Sequence, residues 1–209
     1  MEQKNLQLER LVFFSDAVVA IAITLLALEI KIDPPRSGHL RFADIGDHWR
    51  TFAGFGLSFF NIAIFWARHH TFFIYINRID ERLLWYNILW LLFIVLLPFS
   101  TALMSTYFAD TPAMVIYSGC ILLIAIWQNA IWDYASGKGY LDLEKTSAQA
   151  DQSIRTFCNL EMTNSSISLI VAFFSPLIAF LLLTTKVLFF VLFRQYWNRA
   201  GRFKQRPAS

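Results

Sequence analysis

Charge and cysteine are both scarce in this sequence. Only 16% of its 209 residues are Asp, Glu, Lys or Arg, against 56% that are hydrophobic. Soluble domains carry about 25% charged and about 45–50% apolar residues, so the chain lacks the polar surface that one globule of this size needs in water. Lipid is the expected solvent. Two cysteines cannot form a disulfide framework, and no Cys/His cluster has zinc-ligand spacing, which excludes a small stapled or metal-held scaffold. Also missing are a Gly-x-Ser-x-Gly elbow, a His-Glu-x-x-His pair and a phosphate-cradling glycine loop, so the sequence does not read as an enzyme or as a cofactor binder. The formal charge of +3 is too small to suggest a nucleic-acid partner, and in a membrane protein the Lys and Arg of short loops report orientation instead.

Long apolar runs are what the sequence has in abundance. A membrane-crossing helix needs roughly 20 mostly apolar residues, and six such runs share a single domain, residues 1–209: approximately 13–30, 49–67, 83–104, 113–132, 157–175 and 177–197. The last two are nearly fused, and Ser175-Pro176 is the expected break, a tight hairpin. Asp16 inside the first run and Glu29-Ile30-Lys31 at its end are unlike a cleaved signal peptide. Between the fourth and fifth runs, Leu141 to Ser153 is polar and compatible with a short helix.

Positive charge orients the chain. Arg68, Arg78 and Arg82 follow the second run, Lys138, Lys145 and Arg155 separate the fourth from the fifth, and Arg194, Arg199, Arg202, Lys204 and Arg206 fill the tail. Under the positive-inside rule these three segments and both termini are cytoplasmic. The first connection, with Lys31, Arg36, Arg41 and Arg50, argues against this arrangement but is outvoted. Trp49, Trp85, Trp132, Tyr196 and Trp197 fall at run ends and read as interfacial belts. Cys120 and Cys158 fall in opposite leaflets, so no bridge between them is expected.

Polar groups inside a span are functional-site hypotheses by default. At about 100° per residue, Ile21, Thr24, Leu25 and Leu28 fall on one stripe of the first helix, while Asp16 lies about 140° from Ile21. If the stripe faces a central axis, Asp16 faces neighbouring helices and needs a partner there. Trp66, His69, His70 and Asn87 lie at matching depth, and Arg10 just below. A plainer alternative stays open at this level: Ser15 and Asp16 cap a helix start, and the histidines sit at headgroup level. A metal site has less support, because adjacent His69 and His70 point about 100° apart. Lys186, midway along the sixth run, is expected to snorkel or to pair with a carboxylate of a neighbouring helix, and the sequence assigns it no partner.

The string Arg10-x-x-x-Phe14-Ser15-Asp16, followed by Ala-Ile-x-Ile-Thr-Leu-Leu-x-Leu-Glu, resembles the first-helix signature of the transmembrane protein 175 family of potassium channels. Trp66-Ala-Arg-His69-His70-x-x-Phe73, Asn87 and Pro98-Phe99 at the expected end of the third span are similar to that family's second and third helices. The resemblance implies an all-α membrane protein of six transmembrane helices per subunit, the bacterial layout, with four copies around one pore lined by their first helices. It makes Ile21 the hydrophobic constriction, with Leu25 and Leu28 further out and Thr24 adding a ring of hydroxyls. It gathers Arg10, Phe14, Ser15 and Asp16 into a hydrogen-bonded network with Trp66, His69, His70 and Asn87.

No Thr-Val-Gly-Tyr-Gly loop is present, so no ring of backbone carbonyls replaces the hydration shell of the ion. A narrow isoleucine ring gates instead by dewetting, with Glu29 and Asp33 concentrating cations at the outer mouth. The expectation is therefore a leak-type, potassium-selective homotetramer of the bacterial inner membrane, potassium being its permeant ion and the lipid bilayer its surroundings, with proton permeation also in view. The rival is a proton-coupled secondary transporter that uses Asp16 and His69 or His70 as a relay. That rival predicts internal repeats, and the two halves show no convincing duplication.

Overall fold

The computed structural model describes residues 2–32 and 38–188, with the side chains of residues 2–5 excepted. Among these residues the chain is helical, with one isolated antiparallel bridge between Ile76 and Leu141. In chain order the helices are α1 (Glu2–Leu28), α2 (Phe42–Gly46), α3 (Trp49–Tyr75), α4 (Glu81–Thr106), α5 (Thr111–Gly137), α6 (Ala148–Ala172) and α7 (Pro176–Leu188). α4 packs against α1, α3 and α5, while α6 packs on α5.

Local chemistry sets the ends of these helices. Asp80 caps α4 through its side chain, which accepts from the Leu83 N–H at 2.8 Å, and Ser147 caps α6 through Ala150 N–H at 3.1 Å. Pro112 occupies the first turn of α5, where its missing N–H costs nothing. The same helix stops at Gly139, whose φ of +67° suits the left-handed cap, and Tyr140 N–H closes the motif on Ala135 O at 2.9 Å. The segment after it is pinned to the end of α3: Asn77 N–H donates to Tyr140 O at 2.9 Å, and Asp142 N–H to Tyr75 O at 2.8 Å.

Several expected boundaries shift. α1, α4 and α5 are long and apolar enough to cross a membrane; α3 and α6 match them in length but are more polar, and α7 has 13 described residues. α3 continues through Arg68, His69 and His70 to Tyr75, because the apolar positions Phe72 and Phe73 carry its buried face one turn further. Arg68 is thus a helix residue, not a loop residue. Pro98 does not end its helix; it lies inside α4, which runs on to Thr106. The polar stretch before the fifth run forms no separate helix: the chain turns at 142–147, and α6 then starts at Ala148, so Arg155 is also helical. Trp132 is not interfacial. It is fully buried, donates to Asp151 at 2.9 Å and packs on Phe72 and Tyr75. Trp49 and Trp85, by contrast, are exposed, and the tail from residue 189, with Tyr196, Trp197 and the five basic residues, lies outside the described residues.

The core runs the length of the bundle. Trp90, Ile94, Leu97 and Met104 of α4 meet Ile62 and Phe65 of α3 and Tyr117, Ile121 and Ile124 of α5 in one cluster. Polar side chains inside it find one another: Thr101 donates to Ser58 Oγ at 2.7 Å, and Ser58 and the Tyr117 hydroxyl are 3.0 Å apart. Gly54 lets α3 approach α4 closely, since a Cβ there would collide with Ser105 Oγ.

Candidate functional site

α1 has two unlike faces. Leu11, Ser15, Val19, Ala22 and Leu26 are buried, at the three- and four-residue spacing of one helical stripe. The other side carries Ile21, Thr24, Leu25 and Leu28, all exposed in the single chain, with Ile21 at 60% and Leu28 at 69%. The Thr24 hydroxyl donates to its own helix, at Ile21 O, 2.8 Å away. A hydroxyl bonded in this way still offers its lone pairs outward.

The buried face carries a directed hydrogen-bond chain. Asn87 of α4 donates through Nδ2 to Ser15 Oγ at 2.9 Å, and Ser15 in turn donates to Leu11 O at 2.8 Å. With its amide nitrogen committed to Ser15, Asn87 presents Oδ1 as an acceptor, and His69 Nε2 lies 2.7 Å from it. His69 must therefore donate from Nε2, which fixes its tautomer and leaves Nδ1 as an acceptor. All three side chains are fully buried. The His69 ring stacks on Trp90, centroids 4.3 Å apart and planes within 10°, and tilts against Phe73 at 4.6 Å. Its Nδ1 has no hydrogen-bond partner among the described residues.

Asp16 sits beside this chain and not within it. Its Oδ1 accepts from Trp66 Nε1 at 2.8 Å, joining α1 to α3, and His70 stacks on the same indole at 5.8 Å. Six of the eight residues grouped at the sequence level thus fall into two arms, one running His69 to Asn87 to Ser15, the other Asp16 to Trp66 with His70 behind. Arg10 and Phe14 belong to neither. Both are exposed and line a cleft of about 520 Å³ between α1 and the start of α4, together with Gln7, Asp80 and Glu81. On the far side of α1, Glu29 follows the helix end, with Lys31 Nζ 3.8 Å away; Asp33 lies outside the described residues.

At the cleft, Asp80 does more than cap. Besides Leu83 N–H it accepts from the hydroxyls of Tyr134, at 2.5 Å, and Tyr140, at 3.2 Å. Burial pushes its carboxyl up, but the bonds from Tyr134, Leu83 N–H and Tyr140 outweigh it and hold the pKa below the ordinary value of 3.8.

One cluster was half legible in the sequence: Lys186 does pair with a carboxylate of a neighbouring helix, but neither that carboxylate nor the part of Arg68 was identified. Lys186 Nζ of α7 lies 2.5 Å from Glu161 Oε1 of α6, and Arg68 Nη1 of α3 lies 3.7 Å from Glu161 Oε2. A signal was available. Glu161 is the sole carboxylate between Phe157 and Trp197, and a hairpin at Ser175-Pro176 puts Glu161 about 21 Å and Lys186 about 16 Å along their helices from the turn, close enough for two long side chains to meet.

The chain is similar to known proteins in sequence and in fold. The sequence model of a family described as the endosomal/lysosomal potassium channel TMEM175 matches residues 10–98, a stretch that contains both hydrogen-bonded arms and the exposed stripe of α1. A potassium channel of Streptomyces collinus is 33% identical over 146 residues, which make up 68% of this chain and 71% of that one. The crystal structure of a lysosomal potassium-selective channel TMEM175 homolog from Chamaesiphon minutus superposes with a TM-score of 0.78 at 27% identity, covering 89% of this chain and 97% of that one. An endosomal/lysosomal proton channel TMEM175 of Rattus norvegicus is 31% identical over 139 residues, 61% of this chain but 28% of that longer protein.

Proposed function

This chain belongs to the TMEM175 family, and from that premise we propose that it conducts potassium ions across the bacterial inner membrane as a homotetramer of six-span subunits. In this reading α1 lines the pore, both termini are cytoplasmic, Ile21 forms the constriction, and Leu25 and Leu28 continue it outward. Thr24 adds hydroxyls, while Glu29 and Asp33 gather cations at the outer mouth. The protein needs no cofactor and catalyses no reaction.

The observation that carries this reading is the asymmetry of α1. Its buried face is satisfied within the subunit, down to the hydroxyl of Ser15, so the opposite apolar face is what remains for a shared axis. One copy cannot enclose a pore. Around an axis, a ring of isoleucines leaves a narrow dry throat that excludes ions until it widens, and Asp16, turned sideways onto Trp66, keeps its charge out of that throat.

The same geometry speaks against a proton-relay transporter. The hydrogen bonds run from His69 to Asn87 to Ser15 and end on a backbone carbonyl, which offers no group to pass a proton onward.

The test is potassium flux into proteoliposomes, with sodium substituted in a parallel series. Wild type passes potassium better than sodium, and Ile21→Asn raises the flux several-fold and brings the ratio of the two ions toward one. Unchanged flux and ratio in Ile21→Asn put the constriction elsewhere, and no flux from either protein beside a working valinomycin control removes the channel reading.

A further inference from the structure

We infer that Glu161 is a positioning residue for α1: through Arg68 it fixes the rotation of α3 and hence the point at which Trp66 meets Asp16. Its consequence for conduction rests on the reading of α1 as the pore helix; its geometric content does not.

Glu161 is 5% exposed, and the side chains facing it are nearly as enclosed, Lys186 at 11% and Arg68 at 13%. A carboxylate at such depth is tolerated only when paired, and it is rarely without purpose. Here both oxygens are used. Oε1 takes the Lys186 ammonium, which also lies 5.6 Å from the Phe65 ring centroid, and Oε2 faces the Arg68 guanidinium. Arg68 Nη1 also donates to Phe157 O at 3.2 Å, and the guanidinium lies over the Phe157 ring at 5.3 Å. A single carboxylate therefore joins α3, α6 and α7.

The position of Arg68 on α3 gives the cluster its reach. Within four residues, α3 directs Trp66 to α1, Arg68 to α6 and His69 to α4. At about 100° per residue Arg68 lies about 200° round the helix from Trp66, so the two side chains hold α3 from nearly opposite sides. Side-chain tips stand about 5 Å from a helix axis, so a roll of about 20° moves them by about 2 Å, enough to break a hydrogen bond. The Trp66 to Asp16 bond of 2.8 Å thus depends on α3 not rolling, and the Arg68 side of the helix is where a roll is resisted by charge. Asp16 stands five positions before Ile21 on α1, so the azimuth of the exposed stripe follows from the same bond. Were the cluster only a fastening for α7, its loss would loosen α7 and leave the Trp66 indole where it is.

The test uses the full-length protein in nanodiscs of phosphatidylcholine and phosphatidylglycerol, with 15N-labelled tryptophan. Trp66→Phe identifies the Trp66 indole resonance. Glu161→Gln is expected to shift that N–H upfield as its bond to Asp16 lengthens, and to change the potassium-to-sodium flux ratio in proteoliposomes. Trp66→Phe combined with Glu161→Gln should then change the ratio no further than the larger single substitution. If Glu161→Gln does not assemble, Glu161→Asp keeps the charge but withdraws it by about 1.5 Å, and a smaller shift in the same direction is expected. An assembled variant whose Trp66 resonance stays in place overturns the inference, as do flux effects that simply multiply. An inert Ile21→Asn would instead remove the pore assignment and leave the Trp66 shift standing.

Discussion

Two buried polar assemblies grip α3, and they are built from different chemistry. Toward α4, and through it to Ser15 of α1, the groups are neutral: His69, Asn87 and Ser15 hand hydrogen bonds along at 2.7–2.9 Å, with no net charge and with aromatic rings around the imidazole. Toward α6 and α7 the groups are ionic, one carboxylate between an ammonium and a guanidinium. Neutral chains weaken by one bond at a time. An ion pair away from water fails abruptly, because removing one partner leaves an uncompensated charge in a medium that cannot solvate it. The chain through Asn87 thus holds by three moderate bonds without added charge, the cluster at Glu161 by a few strong ones, and Asp16 brings a carboxylate to the α1 side through its bond to Trp66.

That contrast is broken most severely at Glu161. Glu161→Gln leaves the Lys186 ammonium and the Arg68 guanidinium without their shared carboxylate and is expected to lower stability by about 3 kcal/mol, measured by thermal unfolding in detergent. Adding Lys186→Met removes one of the two cations and should recover about 1 kcal/mol of that loss. A double variant no better than the single would mean that charge is not what the cluster contributes to stability. On the other face, Asn87→Leu removes two hydrogen bonds and leaves the His69 Nε2–H without an acceptor, for an expected loss of about 2 kcal/mol. A larger loss for Asn87→Leu than for Glu161→Gln would invert the comparison.

The side of α3 toward α1 and α4 was legible in the sequence and the cluster at Glu161 only in part, for a reason of distance along the chain. Asp16, Ser15, Trp66, His69 and Asn87 stand at matching depths on adjacent hydrophobic runs, so helical rise and the cost of a lone buried carboxylate already bring them together. The division into two arms was not legible. It depends on which way the Asn87 amide turns, and that follows only when Ser15 occupies one end of it. Arg68 was hidden by its helix: hydrophobicity falls at Arg68-His69-His70, but α3 continues to Tyr75 because Phe72 and Phe73 still face the core. Read as a loop cation, Arg68 is not available to Glu161. Trp132 misled for a similar reason, since a tryptophan near a run end reads as interfacial until a carboxylate, here Asp151, is seen bonding its indole in the interior.

Asp80 sharpens the comparison from the solvent side, where the expected effect is smallest. It is a single carboxylate like Glu161, but its hydrogen-bond partners are two tyrosine hydroxyls and a backbone N–H, with Lys138 acting on it only through its charge. Those bonds hold its pKa below 3.8 in the folded protein. The sign follows from linkage: a depressed folded pKa contributes stability that is fully present above the unfolded value and is lost as pH falls through the folded one. Asp80→Asn should therefore be less stable than wild type at neutral pH, and the difference should close as pH drops below about 4. Paired thermal unfolding of the two proteins across that range reads it directly. A difference that persists unchanged at low pH would mean that Asp80 acts on stability through its shape and its cap to Leu83, not through its charge.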